Sequence, residues 1–183
     1  MSNDYIQIQP ERVVQSTEDP GVDVGIIIAT RTDLREGPSA TSGVLRQLQS
    51  NEVVALVSRT PTGPWYNVIH VSSSTEGWIN GNNIRIKYTD RKKEGPVFRE
   101  RETGTTENPR LEITNDSERT LYLKIGDEDR IVISPHGTKS IVKEPGKRAF
   151  YASSPGVFPA FGEHDFRSGI TYEWTFYIVT ASR

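Results

Sequence analysis

The chain of 183 residues contains no cysteine. That absence excludes a disulfide framework, a zinc–thiolate centre and a thiol nucleophile. Long apolar runs are missing too. The longest, Val-Gly-Ile-Ile-Ile-Ala at 24–29, is strand-length, far short of the ~20 residues a membrane helix needs. There is no excess of one charge: 22 Lys and Arg stand against 24 Asp and Glu, a formal charge of −2. A nucleic-acid binder usually carries a basic surplus, so that near-balance argues against one. No window sustains an apolar repeat of 3.6, so no long helix is expected. Hydrophobic residues make up only 34% of the chain, which implies small cores. Residues 1–7 have neither the basic segment nor the apolar core of a secretory signal. The expected location is therefore cytoplasmic, or extracytoplasmic if a leader has been removed.

What is present is a succession of short β-branched runs separated by Gly, Pro, Ser and Asn. Residues 1–21 are polar and read as a tail, or a first edge strand leading into a domain. A first domain at 22–88 has strand candidates at 24–32, 44–48, 52–59, 65–71, 76–79 and 84–87. Residues 89–109 change character. Ten of these 21 are charged, and only Val97 and Phe98 are large and apolar. Such a stretch buries too little surface to offset its ordering entropy, so it reads as a linker. The alternative is that 97–102 pairs as an edge strand, its alternating Arg and Glu guarding the edge.

From 110 to 183 strand candidates return at 111–115, 120–125, 130–134, 138–143, 148–153, 162–167 and 170–179. Turn signals fall at Gly126-Asp127, Pro135-His136-Gly137, Pro145-Gly146 and Ser168-Gly169. Seven short strands so spaced predict a β-sandwich. Ile170, Tyr172, Trp174, Phe176 and Ile178 share one face of the last and longest strand, with Trp174 at the centre of the expected core.

Within the first domain, Thr32-Asp33-Leu34-Arg35-Glu36-Gly37-Pro38-Ser39 leads into the polar turn Ala40-Thr41-Ser42-Gly43 and then Val44-Leu45. Trp65-Tyr66-Asn67-Val68 and Gly77-Trp78-Ile79-Asn80 follow in order, and Ile84 comes last. Together they resemble the bacterial SH3-like domain over residues 24 to 87. That family runs Leu-Asn-Val-Arg-x-Gly-Pro-Ser, then a Trp-Tyr-Lys-Val strand, a Gly-Trp-Val strand and a terminal 3₁₀ turn. One departure is the extra Arg59-Thr60-Pro61-Thr62-Gly63-Pro64 ahead of Trp65. The resemblance implies an SH3-like barrel that binds a peptide or a cell-wall component. It places the loop 33–42 beside the strands at 65–66 and 77–80.

The implied ligand-binding residues are Asp33, Arg35, Glu36, Trp65, Tyr66, Trp78 and Asn80. Asp33 and Glu36 would act as acceptors and Arg35 as a planar donor. Each also has a structural reading. Arg35 is a candidate for lying over an aromatic face or satisfying loop carbonyls, and Trp78 is expected to lie mostly in the core. Trp65 and Tyr66 are adjacent and so point to opposite faces, one buried and one exposed.

The second domain carries Pro145-Gly146 before Phe150-Tyr151, then Pro155-Gly156, Gly162, and Gly169-Ile170-Thr171-Tyr172. This rhythm is similar to small β-sandwich modules of bacterial surface proteins, including PEGA-type domains. The resemblance implies an interaction or spacer unit without chemistry of its own.

Signals for catalysis are sparse. His70, His136 and His164 have no partner at metal-binding spacing. Glu163-His164-Asp165 lie on alternating sides of a strand, so the three cannot converge on one ion. Asp127-Glu128-Asp129 lacks the alternation of a calcium loop and suits a hairpin turn. Neither a phosphate-cradling glycine loop nor a Gly-x-Ser-x-Gly elbow occurs. The expectation is an all-β, two-domain, non-enzymatic binding protein without cofactor or metal. Its partner would be a peptide, a protein or a cell-wall glycopeptide, with no nucleic acid and no membrane insertion. Two alternatives remain: an accessory or targeting subunit of a separate enzyme, and a hydrolase with an interdomain site. A Ser or carboxylate within hydrogen-bond reach of a histidine would favour the hydrolase.

Overall fold

The computed structural model describes residues 5–8, 22–89, 98–105 and 107–179. They form sixteen strands: β1 (Tyr5–Ile8), β2 (Val24–Ile27), β3 (Arg31–Arg35), β4 (Val44–Gln49), β5 (Val53–Leu56), β6 (Trp65–His70), β7 (Thr75–Asn80), β8 (Ile84–Lys87), β9 (Arg99–Glu102), β10 (Arg110–Asn115), β11 (Leu121–Ile125), β12 (Ile131–Ile133), β13 (Thr138–Val142), β14 (Gly146–Ser154), β15 (Val157–Phe166) and β16 (Ile170–Val179). A single 3₁₀ turn, Gly81–Asn83, precedes β8. The chain is all-β, as its alternating patterns predict. It divides into two units, Asp19–Lys92 and a second comprising Met1–Glu18 with Lys93–Arg183.

The first unit is a seven-stranded barrel-like sheet in the order β4-β3-β7-β6-β5-β2-β8. Ile27, Leu34, Leu48, Val54, Leu56, Val68 and Ile79 make a core with no exposed surface. The expected strand at 24–32 is broken in two. The β-branched run continues through the turn at Ala29-Thr30, so composition alone conceals the break between β2 and β3.

Strands β2 and β8 pair antiparallel, Val24 facing Lys87, which brings the entry and exit of this unit together. A buried carboxylate fastens them. Asp23, fully buried, accepts from Arg59 Nε at 2.7 Å and Nη2 at 2.9 Å, and from the Thr89 amide at 2.9 Å. Arg59 Nη2 also donates to the Thr89 carbonyl at 2.5 Å. The extra segment ahead of Trp65 thus contributes the cation of this clasp.

In the second unit, β12-β11-β14-β15 form one sheet and β16-β10-β13 the other, joined through β1. β1 runs parallel to β15 and antiparallel to β16. The inner faces share one core. Leu121, Leu123 and Ile125 of β11 alternate inward from one sheet; Tyr172, Trp174 and Phe176 of β16 do so from the other. Trp174 packs against the rings of Phe98, Phe150, Phe166 and Phe176 at centroid distances of 4.5, 4.9, 6.0 and 5.7 Å. At the end of β10, the buried Asn115 amide donates to the carbonyls of Arg119, Ile133 and Ser134, tying three segments together. Strand β15 begins earlier than the sequence suggests. Pro159 discourages a strand, yet it stands where the β14 register slips between Ala152 and Ser154, and a bulge asks for no regular ladder donor.

Two expectations require correction. Residues 1–21 are not simply a tail or a lead into the first domain, because Tyr5–Ile8 is a strand of the second unit. Its pattern of one apolar residue in two, with Ile6 buried, fits a slot in a sandwich as well as an edge. Residues 89–109 are not linker throughout. Arg99–Glu102 pairs antiparallel with β16, the edge-strand alternative, and Phe98 stacks on Trp174. Ring burial at that one position offsets the ordering of a charged strand. The residues 90–97 of that linker, and Arg91 and Lys92 with them, lie outside the described residues.

Two stability measurements follow. Trp174→Ala is expected to cost the second unit about 3–5 kcal/mol, read by denaturant unfolding through near-ultraviolet dichroism. A loss below about 1 kcal/mol would contradict its central place. Arg59→Ala strips the cation from a carboxylate with no exposed surface. It should destabilise the first unit by about 3 kcal/mol, whereas an ordinary surface substitution stays within about 0.5 kcal/mol.

Candidate ligand-binding face of the barrel

Residues directly opposite on paired strands share a face of the sheet. Along β6 and β7 the pairs Tyr66–Ile79 and Val68–Gly77 face the core. The alternate pairs, Trp65–Asn80 and Asn67–Trp78, therefore face outward. Arg35 of β3 stands opposite Trp78, and Asp33 stands opposite Gln47 of β4. One outer face thus collects Gln47, Asp33, Arg35, Trp78, Asn67, Asn80 and Trp65. Trp65 and Trp78 are diagonal neighbours on it, about 7–8 Å apart by strand geometry, and both are half-buried.

Close approach keeps this face in place. A Cβ on Gly77 would come within 2.7 Å of the Arg35 carbonyl oxygen and 2.8 Å of the Leu34 side chain. Only glycine lets β3 and β7 approach there. The loop after β3 closes with the Glu36 amide donating to the Gly43 carbonyl at 2.9 Å.

Five of the seven expected residues share the outer face, but several are already engaged. Arg35 Nη2 pairs with Asp33 Oδ2 at 2.6 Å, and Nη1 donates to the Ser42 carbonyl at 2.7 Å. Gln47 Nε2 donates to the other Asp33 oxygen at 3.3 Å. The Asn80 side chain accepts from the Asn82 amide at 3.0 Å and caps the 3₁₀ turn. Glu36 is exposed on the loop, where its carboxylate lies so close to Gly43 that a Cβ there would meet it at 2.6 Å.

Trp78 is not mostly core, contrary to expectation. Gly77 and Ile79 take the inward positions of β7, and alternation sends the indole out. Trp65 and Tyr66 do take opposite faces, yet neither is fully buried. Tyr66 packs on the core side and turns away from the five on the outer face. Its phenol, ahead of burial, pushes that of Tyr88 above its ordinary value. Arg59 lies over the Tyr88 ring at 5.5 Å.

Sequence reasoning missed Asn67 and Glu76, which are joined on this face by Asn67 Nδ2 donating to Glu76 Oε1 at 3.1 Å. Counting by two from Trp65 and from Trp78 would have found both.

The histidines were the proposed markers of a hydrolase. His70 has Ser73 Oγ at 2.8 Å from Nδ1 and Glu52 Oε1 at 3.5 Å from Nε2. A serine hydroxyl thus does stand within hydrogen-bond reach of a histidine, the arrangement the hydrolase alternative asks for. The imidazole is 1% exposed, and Ser73 Oγ is also held by Thr75 Oγ1 at 2.8 Å within the β6–β7 turn. It is a turn brace. His136 meets Glu118 at 3.0 Å, both exposed, and His164 lies 3.8 Å from Glu100. Among the described residues no cluster of His, Asp and Glu is arranged to hold a metal ion, and no helix is long and apolar enough to cross a membrane.

Burial pushes His70 below its usual value of 6.5, with Glu52 opposing. The unfolded chain therefore binds the proton more readily than the fold does. This contribution to stability is complete above pH 6.5 and declines as pH falls from there toward the lowered folded value. His70→Gln should flatten that part of the barrel's stability profile between pH 7 and 5. An unchanged slope would show that His70 takes up its proton equally in the folded and unfolded states.

No curated protein and no solved structure matches the chain. Part of the barrel does have relatives: residues 30–85, from the start of β3 into β8, match the bacterial SH3 domain family.

Proposed function

We propose that the protein is a non-catalytic recognition protein whose barrel binds an extended peptide, such as the peptide portion of a cell-wall glycopeptide, across the outer face of β3, β7 and β6. The observation that carries this reading is the pair of half-buried tryptophans, Trp65 and Trp78, set diagonally on a face that they share with the polar side chains of Asp33, Arg35, Asn67 and Glu76. Indoles supply broad apolar contact at low entropic cost. Asp33, Arg35, Asn67 and Glu76 flank them with fixed donors and acceptors. An apolar platform with a few immobilised polar groups is the usual composition of a ligand site. The Arg35–Asp33 pair then has two tasks: it holds the loop through Ser42 and presents the remaining guanidinium donors beside Trp78. The match of residues 30–85 to a family of binding domains supports the same reading.

The test is a chemical-shift titration of the full chain with cell-wall stem peptides and, separately, with proline-rich peptides. Shifts are expected at Asp33, Arg35, Asn67, Trp78 and Asn80. Trp65→Ala and Trp78→Ala should each weaken binding at least tenfold, while Tyr66→Phe, on the other face, should leave it within twofold. Shifts clustered elsewhere would refute this face. Response to stem peptides alone would make the cell-wall peptide the ligand class. No response to either class would leave the barrel as a spacer.

A further inference from the structure

Strand β16 spans ten residues, and one of its edges is covered by two separate pieces of chain. Tyr5 faces Val179, Ile6 faces Ile178, Gln7 faces Tyr177 and Ile8 faces Phe176. Arg99 faces Glu173, Glu100 faces Tyr172, Arg101 faces Thr171 and Glu102 faces Ile170. Both pieces run antiparallel to β16, so the second continues in the direction of the first. Only two positions, Trp174 and Thr175, separate them.

The register also agrees in phase. In an unbroken strand the residue before Arg99 would face Trp174, and Phe98 does stack on Trp174, with 4.5 Å between centroids and 28° between planes. Ile6 and Phe98 both reach the core of the same sandwich. Strand side chains alternate with period two, and a one-residue slip would send one set outward. Two unrelated segments would match in edge, direction and phase only by coincidence.

We infer that β1 and β9 are the two halves of one sandwich strand, and that the bacterial SH3-like barrel is an insertion into the middle of that strand. The sandwich is then complete without the barrel. The barrel is a module carried on two tethers that are anchored to the same strand, β16. The clasp of Asp23, Arg59 and Thr89 fits this arrangement, because an inserted module needs its entry and exit held together. A further consequence is coupling: loosening either half of the split strand exposes the β16 edge that orders the other. This inference is independent of what the barrel binds.

Hydrogen exchange on the full chain tests it. Amides of 5–8 and 99–102 should exchange in one cooperative unit with 170–179, and separately from 24–87. Ile6→Asp should speed exchange at 99–102 at least tenfold and leave 24–87 unchanged. Exchange of 5–8 in step with the barrel, or Ile6→Asp acting on 5–8 alone, would overturn the inference. A second variant tests register. Deleting 10–97 joins Gln9 to Phe98 and restores one strand opposite 170–179. This variant should unfold cooperatively, with the near-ultraviolet signal of the buried aromatic cluster retained. Deletions one residue longer or shorter shift the register and should be distinctly less stable. Equal stability of all three joints would show that β1 and β9 are not halves of one strand.

Discussion

A carboxylate with no exposed surface holds the two ends of the barrel. Asp23 lies just before the first strand of that unit, Thr89 just after the last, and Arg59 comes from the loop between β5 and β6. Burying a lone charge is costly, and the cost is met only by a close cation and several hydrogen bonds. Asp23 has both, so the carboxylate is tolerable only when entry, exit and the 59–64 loop are all in place. The interaction is therefore conditional on closure of the sheet. It also fixes Arg59 against the Tyr88 ring, and Tyr88 in turn is influenced by Tyr66, which occupies the core side of β6. With Tyr66 turned inward, alternation leaves Trp65 outward beside the polar face.

The same period of two governs the proposed binding face. Strands β3, β6 and β7 give one set of side chains to the core, Leu34, Val68 and Ile79, and the alternate set, Asp33, Arg35, Trp65, Asn67 and Trp78 among it, to the opposite, partly exposed face. Rigidity of the outward set is thus inherited from the packing of the inward one. The hydrogen bonds among Asp33, Arg35, Gln47 and Ser42 add a lateral lock. Such a face is ordered before a ligand arrives, which lowers the entropic cost of recognition.

How much of this was legible beforehand depends on whether the deciding interaction is local. Strands such as β11 and β16 declare themselves, because Leu121, Leu123 and Ile125, or Tyr172, Trp174 and Phe176, recur every second residue. The motif Gly77-Trp78-Ile79 located β7 but misassigned Trp78. Size suggested core, whereas neighbours on β3 and β6 decide which side of the sheet faces in. Asn67 and Glu76 escaped notice because neither residue type signals a site; only their cross-strand register puts them beside the tryptophans. Asp23 and Arg59 are separated by 36 positions, and nothing in either local sequence announces the pair.

The charged stretch around β9 shows the limit most clearly. By composition, 89–109 resembles linker, and Arg99-Glu100-Arg101-Glu102 has no apolar side chain to bury. All four residues are indeed exposed. What orders them lies on either side of the composition argument. Their backbone groups pair with β16, and Phe98 places one ring among Trp174, Phe150, Phe166 and Tyr172. A strand can therefore be stabilised by a single aromatic anchor and a ladder of main-chain bonds, while its own side chains stay in water. Those charges serve a different purpose. Alternating Arg and Glu on an outlying strand discourage pairing with a foreign strand. They also bind locally, Arg101 to Glu112 and Glu173, and Arg167 to Glu100. The features that make the segment look like a linker are the ones expected of a strand at the rim of a sheet, and only the partner strand distinguishes the two.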